Sequence, residues 1–323
     1  MHHKIPDDIR NILNIARLAP SSHNTQPWQV QISGNELIVG YDPARQLTVG
    51  DPDKRELFIS LGCFIETIAL AAPAYGYRFS VDFLGTTPDR VASINLRHTD
   101  SKAGQQQIEI IRSRRSDRRH YQDKPIPSAA IEEISNCKQG SAHISLFDDP
   151  KDIDFLAQMT YDATYKVMSD PAFRQELSGW VRHNWTKRPD GMPGYTQGIP
   201  GPISLFAKVV IRKNKKMAGS QAKMDSERVK HSAAIGLVSV SQDTPEAWLD
   251  AGRVYQRACL AATAHDLKTA GTSAAVIDSD TSEKIKKRLG LKGTAVALIR
   301  FGYTNSTPKA APRRAVDDFA VTS

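Results

Sequence analysis

Cysteine is scarce in this 323-residue chain: Cys63, Cys137 and Cys259 lie far apart, an odd number without metal-ligand spacing. That excludes a disulfide framework or a thiolate zinc site and predicts buried thiols in a reducing, cytoplasmic setting. No run approaches the roughly 18 apolar residues of a membrane span. The opening "MHHKIPDDIR" lacks the apolar core of a signal peptide. Also missing are a G-x-G-x-x-G after a strand, a P-loop and an H-E-x-x-H. A nicotinamide in a Rossmann site and a zincin centre are therefore not expected. The S-x-x-K at Ser135–Lys138 has no S-D-N or K-T-G partners and is a chance match.

Acidic residues are outnumbered: 43 Lys and Arg against 35 Asp and Glu give a net charge of +8, which suits an anionic ligand. Apolar periodicity predicts a helix over 7–19, strands over 28–33 and 36–42 joined at Gly34-Asn35, and a long apolar helix over 54–76. Strands over 77–84 and 91–97 follow, then a polar linker over 99–107. The stretch 186–226, rich in Gly and Pro and then in Lys, reads as irregular, either a lid or a surface insertion.

The second half answers the first. Glu246–Leu267 aligns with Glu56–Tyr77 at an offset of 190, placing Gly62 on Gly252 and Leu70-Ala71-Ala72 on Leu260-Ala261-Ala262. A strand, 91–97, finds a counterpart in 295–301. Two apolar helices share residue types readily, but the common glycine and the later strand favour a duplication.

Two short stretches carry candidate chemistry. "LAPSSHNTQPW" (Leu18–Trp28) gathers neutral hydrogen-bonding groups between prolines. The amides of Asn24 and Gln26 suit the edge of a planar heterocycle, and Ser21 and Ser22 suit hydroxyls or phosphate; a loop satisfying its own turns reads the same way. "IIRSRRSDRRHYQDKPIP" (Ile110–Pro127) places Arg114, Ser116 and Arg118 at alternate positions, so that in an extended segment they project to one side and converge on a phosphate. A solvated charge run and a nucleic-acid patch are the competing readings, and the latter lacks aromatic platforms beside the charges.

Taken together, A-P-S-S-x-N-x-Q-P-W and R-R-S-x-R resemble the FMN-dependent nitroreductase family, and the Leu-Gly…Leu-Ala-Ala helices and the "LGLKGTAVALIRFGY" stretch extend that resemblance over nearly the whole chain. It implies an α+β nitroreductase fold with FMN at a subunit interface. Here each half keeps only one of the two motifs, so the chain looks like a fused dimer, similar to the Acg-like branch. The expected units are 1–100, with the serine–asparagine loop, and 108–323, with the arginine motif and a lid-like insertion at 186–226. Together they form an intramolecular pseudo-dimer holding one FMN per chain, itself monomeric or further dimerised.

By that resemblance Arg114, Ser116 and Arg118 hold the phosphate and ribityl chain, and Pro20, Ser21, Ser22, Asn24 and Gln26 contact FMN from the other half. Arg300 completes the phosphate site, and backbone near Ala275 lies by flavin N5. The implied activity transfers hydride from transient NAD(P)H through N5 to a nitroaromatic, quinone or similar small acceptor, with no side-chain acid, metal, nucleic acid or membrane involved. The alternative is an FMN-storing protein with a lidded cavity.

Overall fold

The structure, a computed structural model, describes residues 4–322 apart from 215 and 306. Helix α1 (Asp7–Ala16) starts on two aspartates that suit its N-terminal dipole and buries Ile9, Ile12, Leu13 and Ile15. It stops short of residue 19 because Leu18 and Ala19 donate to Ile15 and Ala16, tightening the chain into a turn. Strand β1 (Trp28–Ser33) alternates buried and exposed residues and pairs with β2 (Glu36–Tyr41) across a turn in which Gly34 takes φ +57°. Helix α2 (Arg55–Ala71) is buried along almost its whole length, which explains its apolar run without any membrane. Then come β3 (Tyr77–Thr87) and β4 (Arg90–His98). Helix α3 (Gln105–Ser113) begins inside the expected linker, since Ile108 and Ile111 give it a buried stripe.

The second half opens with α4 (Ser128–Ser135), β5 (Lys138–Gln139) and β6 (Ala142–Phe147). It continues through α5 (Pro150–Ser169), α6 (Pro171–Trp180), β7 (Val181–Arg182), β8 (Met192–Pro193), α7 (Gly201–Lys213) and α8 (Met217–Lys230). The 186–226 stretch is thus largely helical rather than irregular. Pro202 stands in the first turn of α7, where a missing N–H is harmless and its fixed φ starts the helix. After β9 (Ala234–Val240) come α9 (Pro245–Ala264), β10 (Lys268–Gly271), α10 (Ala274–Ile277), α11 (Ser279–Leu289), β11 (Thr294–Gly302) and β12 (Ala320–Thr322).

Two five-stranded sheets result, ordered β12-β1-β2-β4-β3 and β10-β11-β9-β6-β5. Read from one edge, β3-β4-β2-β1 matches β10-β11-β9-β6, antiparallel throughout. Where β1 and β2 meet in a hairpin, α5 to α8 separate β6 from β9. The last strand belongs to the first sheet, although it lies within 108–323: β12 runs parallel to β1, pairing Ala320 with Val30.

Helices α2 and α9 cross between the sheets. A Cβ on Gly62 would stand 2.0 Å from the Leu249 carbonyl oxygen, and one on Gly252 would stand 2.1 Å from that of Ile59. Leu249 and Gly252 lie 190 residues beyond Ile59 and Gly62, so the two contacts mirror each other. Buried Glu66 on α2 accepts from Arg253 at 2.8 Å and Arg257 at 2.6 Å, both on α9. One apolar core runs continuously from α1 and the first sheet through these helices to β9 and β11.

Candidate anion-binding cleft

The loop between α1 and β1 is strained. His23, Asn24 and Gln26 take φ of 50°, 54° and 51°, a left-handed conformation that costs a non-glycine residue about 1–2 kcal/mol. Surrounding bonds hold it there. The Ser21 hydroxyl accepts from the Gln26 N–H at 3.0 Å, and the Gln26 side chain donates to the Pro189 carbonyl at 2.7 Å and accepts from the Arg314 N–H at 2.8 Å. Asn24 donates to the carbonyls of Gly191 (2.9 Å) and Pro312 (3.1 Å) and accepts from Arg313 at 2.9 Å. The loop is therefore clasped by two distant segments, 189–191 and 312–314.

The arginine motif follows α3 as extended chain alongside β10. Ser116 forms a parallel bridge with Thr269, and the Asp117 N–H donates to the Thr269 carbonyl at 2.9 Å. Asp117 points inward, 1% exposed, and accepts from Arg119 and Thr304. The motif's one acid is thus engaged away from Arg114 and Arg118. Arg114 in turn donates to the Leu18 carbonyl at 3.1 Å, tying motif to loop.

Between them lies a cleft of about 120 Å³, smaller than the roughly 300–1,000 Å³ typical of small-molecule sites. Pro20, Ser21, His23 and Asn24 line it from the loop, and Arg114, Arg115, Ser116 and Arg118 from the motif. Met192 and Thr196 form a third wall, and Lys309 and Arg313 from the tail a fourth. Five cations and no carboxylate therefore face one space among the described residues. The strain on these charges is evident. Burial, then Arg228, lowers the Arg118 pKa, and burial, then Arg114, lowers that of Arg115. Burial followed by Arg114 and Arg115 pushes Arg313 down to about 9. Burial, then Arg118, brings His23 down to about 4, so its ring is neutral at pH 7.

Several donors lack partners. The Nε atoms of Arg114 and Arg313 and Nδ1 of His23 are buried without a hydrogen bond, and Arg118 makes none with the described residues. Guanidinium nitrogens around a cleft lined by no acid among the described residues suit an anion with several acceptor oxygens.

Of the residues expected from sequence, Pro20, Ser21, Asn24, Arg114, Ser116 and Arg118 meet at this cleft. Four do not line it. The Ser22 hydroxyl turns away to donate to Glu56. Gln26 is fully buried with its amide engaged as above, because the left-handed turn swings it toward 189 and 314. Ala275 is packed in a separate apolar cluster with Leu237 and Val276. Arg300 is 2% exposed, 4.5 Å above the Tyr121 ring, and donates to Ser232 and the Arg119 carbonyl; it is neither a cleft residue nor a surface charge. Sequence reading passed over Arg115, Lys309 and Arg313 and gave His23 no role at the site. The signal for the tail was "PKAAPRR" (Pro308–Arg314), as basic as the motif and framed by prolines like the loop.

Comparison with known proteins finds likenesses to nitroreductases. Residues 1–72 match the family described as "Putative TM nitroreductase". Over 97% of its length the chain is 26% identical to "Putative NAD(P)H nitroreductase Rv3131" of Mycobacterium tuberculosis, covering 91% of that protein. It is 24% identical to "Probable NAD(P)H nitroreductase PigM" of Serratia, with 95% of this chain and 91% of that one covered. "Putative NAD(P)H nitroreductase acg" of M. tuberculosis is 22% identical, with 97% and 95% covered. Among solved structures, the FMN-dependent nitroreductase NfnB of Mycobacterium smegmatis in complex with NADPH aligns with 65% of this chain and 94% of its own, at 18% identity and TM-score 0.43. The chain is an α+β protein whose first 72 residues match that nitroreductase model. Over its full length it is similar to proteins named NAD(P)H nitroreductases, Acg among them.

Proposed function

We propose that the cleft holds one FMN and that the chain is an NAD(P)H-dependent flavin oxidoreductase acting on a nitroaromatic, quinone or similar small acceptor. The observation that carries this reading is the cleft's charge: five cations, unpaired guanidinium nitrogens and, among the described residues, no carboxylate, assembled from the 308–314 tail and the two motifs that resemble the family's flavin-binding segments. The donor set fits the phosphate end of FMN. Arg118, Arg114 and Arg313 would take the phosphate oxygens, and Ser21 and Ser116 the ribityl hydroxyls. The ring end fits less directly, because Asn24 and Gln26 already bond to segments 189–191 and 312–314. Those segments form the lid and strap of the site, and the amides act by clasping them rather than by reading the ring.

When bound, FMN supplies the hydride-transfer chemistry. The chain's own contribution is positional and electrostatic. The cationic cleft favours an electron-rich, anionic occupant, the neutral His23 adds no competing charge, and the 191–197 wall excludes water. A nicotinamide donor would visit the cleft transiently.

We further read the chain as a fused pseudo-dimer with units 1–100 and 108–323. The mirrored 62–249 and 59–252 contacts are what an isologous interface gives when its two copies are joined in one chain, and the matching strand orders point the same way. The tail that returns to β1 brings Lys309 and Arg313 to the cleft.

Anaerobic mixing of the FMN-loaded protein with NADPH or NADH tests the catalytic reading. Bleaching of the flavin band is expected with at least one donor. Unchanged colour with both would overturn it in favour of storage, which draws no support from the relatives' names.

A further inference from the structure

Helix α7 turns its apolar side outward. Ile203, Leu205, Phe206, Val209 and Val210 are 60%, 55%, 66%, 48% and 40% exposed, while Ser204 and Ala207 are buried and Ile211 packs against the cluster of Val181, Met192 and Ala207. Trp185, 61% exposed, lies over the start of the helix, where a Cβ on Gly201 would stand 2.9 Å from its Cη2. Scattered exposed leucines are ordinary, but five consecutive-turn apolar side chains and a tryptophan on one helix form a contiguous patch that a free surface does not maintain without use.

What surrounds the patch identifies what covers it. Between Gly191 and Met224 the sequence contains no Asp or Glu, whereas Lys208, Arg212, Lys213 and Lys216 are all exposed on or just beyond α7. An apolar ridge whose own segment carries cations and no acid, with an indole at one end, has the chemistry of an interfacial helix. Its apolar side chains sink to the acyl boundary, the indole sits at headgroup level, and long basic side chains reach up to anionic headgroups. A second copy of this chain is disfavoured, because a two-fold contact through α7 would set the same basic residues against one another.

We propose that α7 docks this protein on an anionic lipid surface as a peripheral, non-spanning anchor. The one helix among the described residues long and apolar enough to span a membrane, α2, is buried in the fold, and its burial says nothing against an in-plane helix of this kind. The same chain segment that carries α7 supplies Met192 and Thr196 to the cleft wall, so docking places that wall next to the bilayer.

The test is co-sedimentation of the full chain with phosphatidylcholine vesicles, with and without phosphatidylglycerol, alongside sedimentation velocity without lipid. The proposal expects binding to the anionic vesicles alone, loosened by salt. Arg212→Gln with Lys213→Gln should weaken it roughly thirtyfold, since each basic residue near an anionic leaflet contributes about 1 kcal/mol and 1.4 kcal/mol is tenfold. Phe206→Ser with Val209→Ser, at exposed positions, should abolish it without altering the thermal midpoint or FMN binding. Absence of binding to either vesicle, or binding indifferent to both double variants, would overturn the proposal. So would a dimer that Phe206→Ser with Val209→Ser dissociates, which would assign the face to a second copy.

Discussion

Arg118 shows most clearly what the cleft is for. Its guanidinium has no hydrogen bond or ion pair with the described residues, is desolvated, and feels Arg228 and His23 against it, with Asp225 offsetting them in part. A residue held this way does nothing for the fold. Arg118→Gln should therefore leave the thermal midpoint unchanged or slightly raised, while weakening FMN at least about tenfold, as expected for a lost charge-assisted hydrogen bond of about 1.5–3 kcal/mol. Fluorescence titration reads this directly, and undiminished affinity would remove Arg118 from the phosphate site. Asp51 makes a different residue-scale case. Its carboxylate accepts from the Glu56 and Leu57 N–H groups at the start of α2, yet burial, then the charge of Glu56, raises its pKa to about 7. The native state thus keeps a proton that the unfolded chain releases near pH 4, so this group lowers stability as pH rises from about 4 to about 7. His23 works in the opposite sense. Its depressed pKa means that stability is lost as pH falls from about 6.5 toward 4. Denaturation of Asp51→Asn beside the unaltered protein isolates the first effect. The variant should gain on it by a few kcal/mol between pH 4.5 and 7.5, because each tenfold difference in proton affinity between folded and unfolded chain is worth about 1.36 kcal/mol.

Among the elements, α2 and α9 decide the architecture. They approach closely enough that a methyl group on either glycine would overlap a backbone carbonyl, and backbone cannot swing aside as a flexible side chain can. Gly62→Ala and Gly252→Ala should each destabilise the protein by about 3 kcal/mol, the upper end of overpacking costs, in urea denaturation. A cost below about 1 kcal/mol would mean that the crossing is looser than described. Strand and helix positions in the first hundred residues were legible because their apolar spacing answers to one buried face each. The Gly62–Gly252 match was legible too, although its meaning as a direct contact was not, since sequence alone carries no distance. Within the 186–226 stretch, residues 201–213 were misread for a physical reason: α7 exposes most of its apolar residues and buries small ones, so the amphipathic signal that marks a helix is inverted there.

At the scale of the whole molecule, the site exists because the chain returns on itself. Loop 18–28 reaches Arg114 through the Leu18 carbonyl, and the tail reaches the loop through Arg313 and Asn24 before β12 joins the first sheet. The arginine motif and the loop were visible as local patterns, and six of their residues meet in the cleft. Gln26, Ser22, Ala275 and Arg300 were misassigned because side-chain direction depends on a left-handed turn, a buried glutamate and strand register that residue types do not encode. Lys309 and Arg313 went unnoticed because their role requires knowing where the last fifteen residues go. The central claim, that loop, motif and tail form one flavin site in each chain, is tested most directly by titrating the flavin-free protein with FMN and counting sites. One FMN per chain, with the affinity lost when Arg114, Arg118 and Arg313 are replaced together by glutamine, is the predicted result. Two FMN per chain, or one that binds the triple variant as tightly, would contradict it.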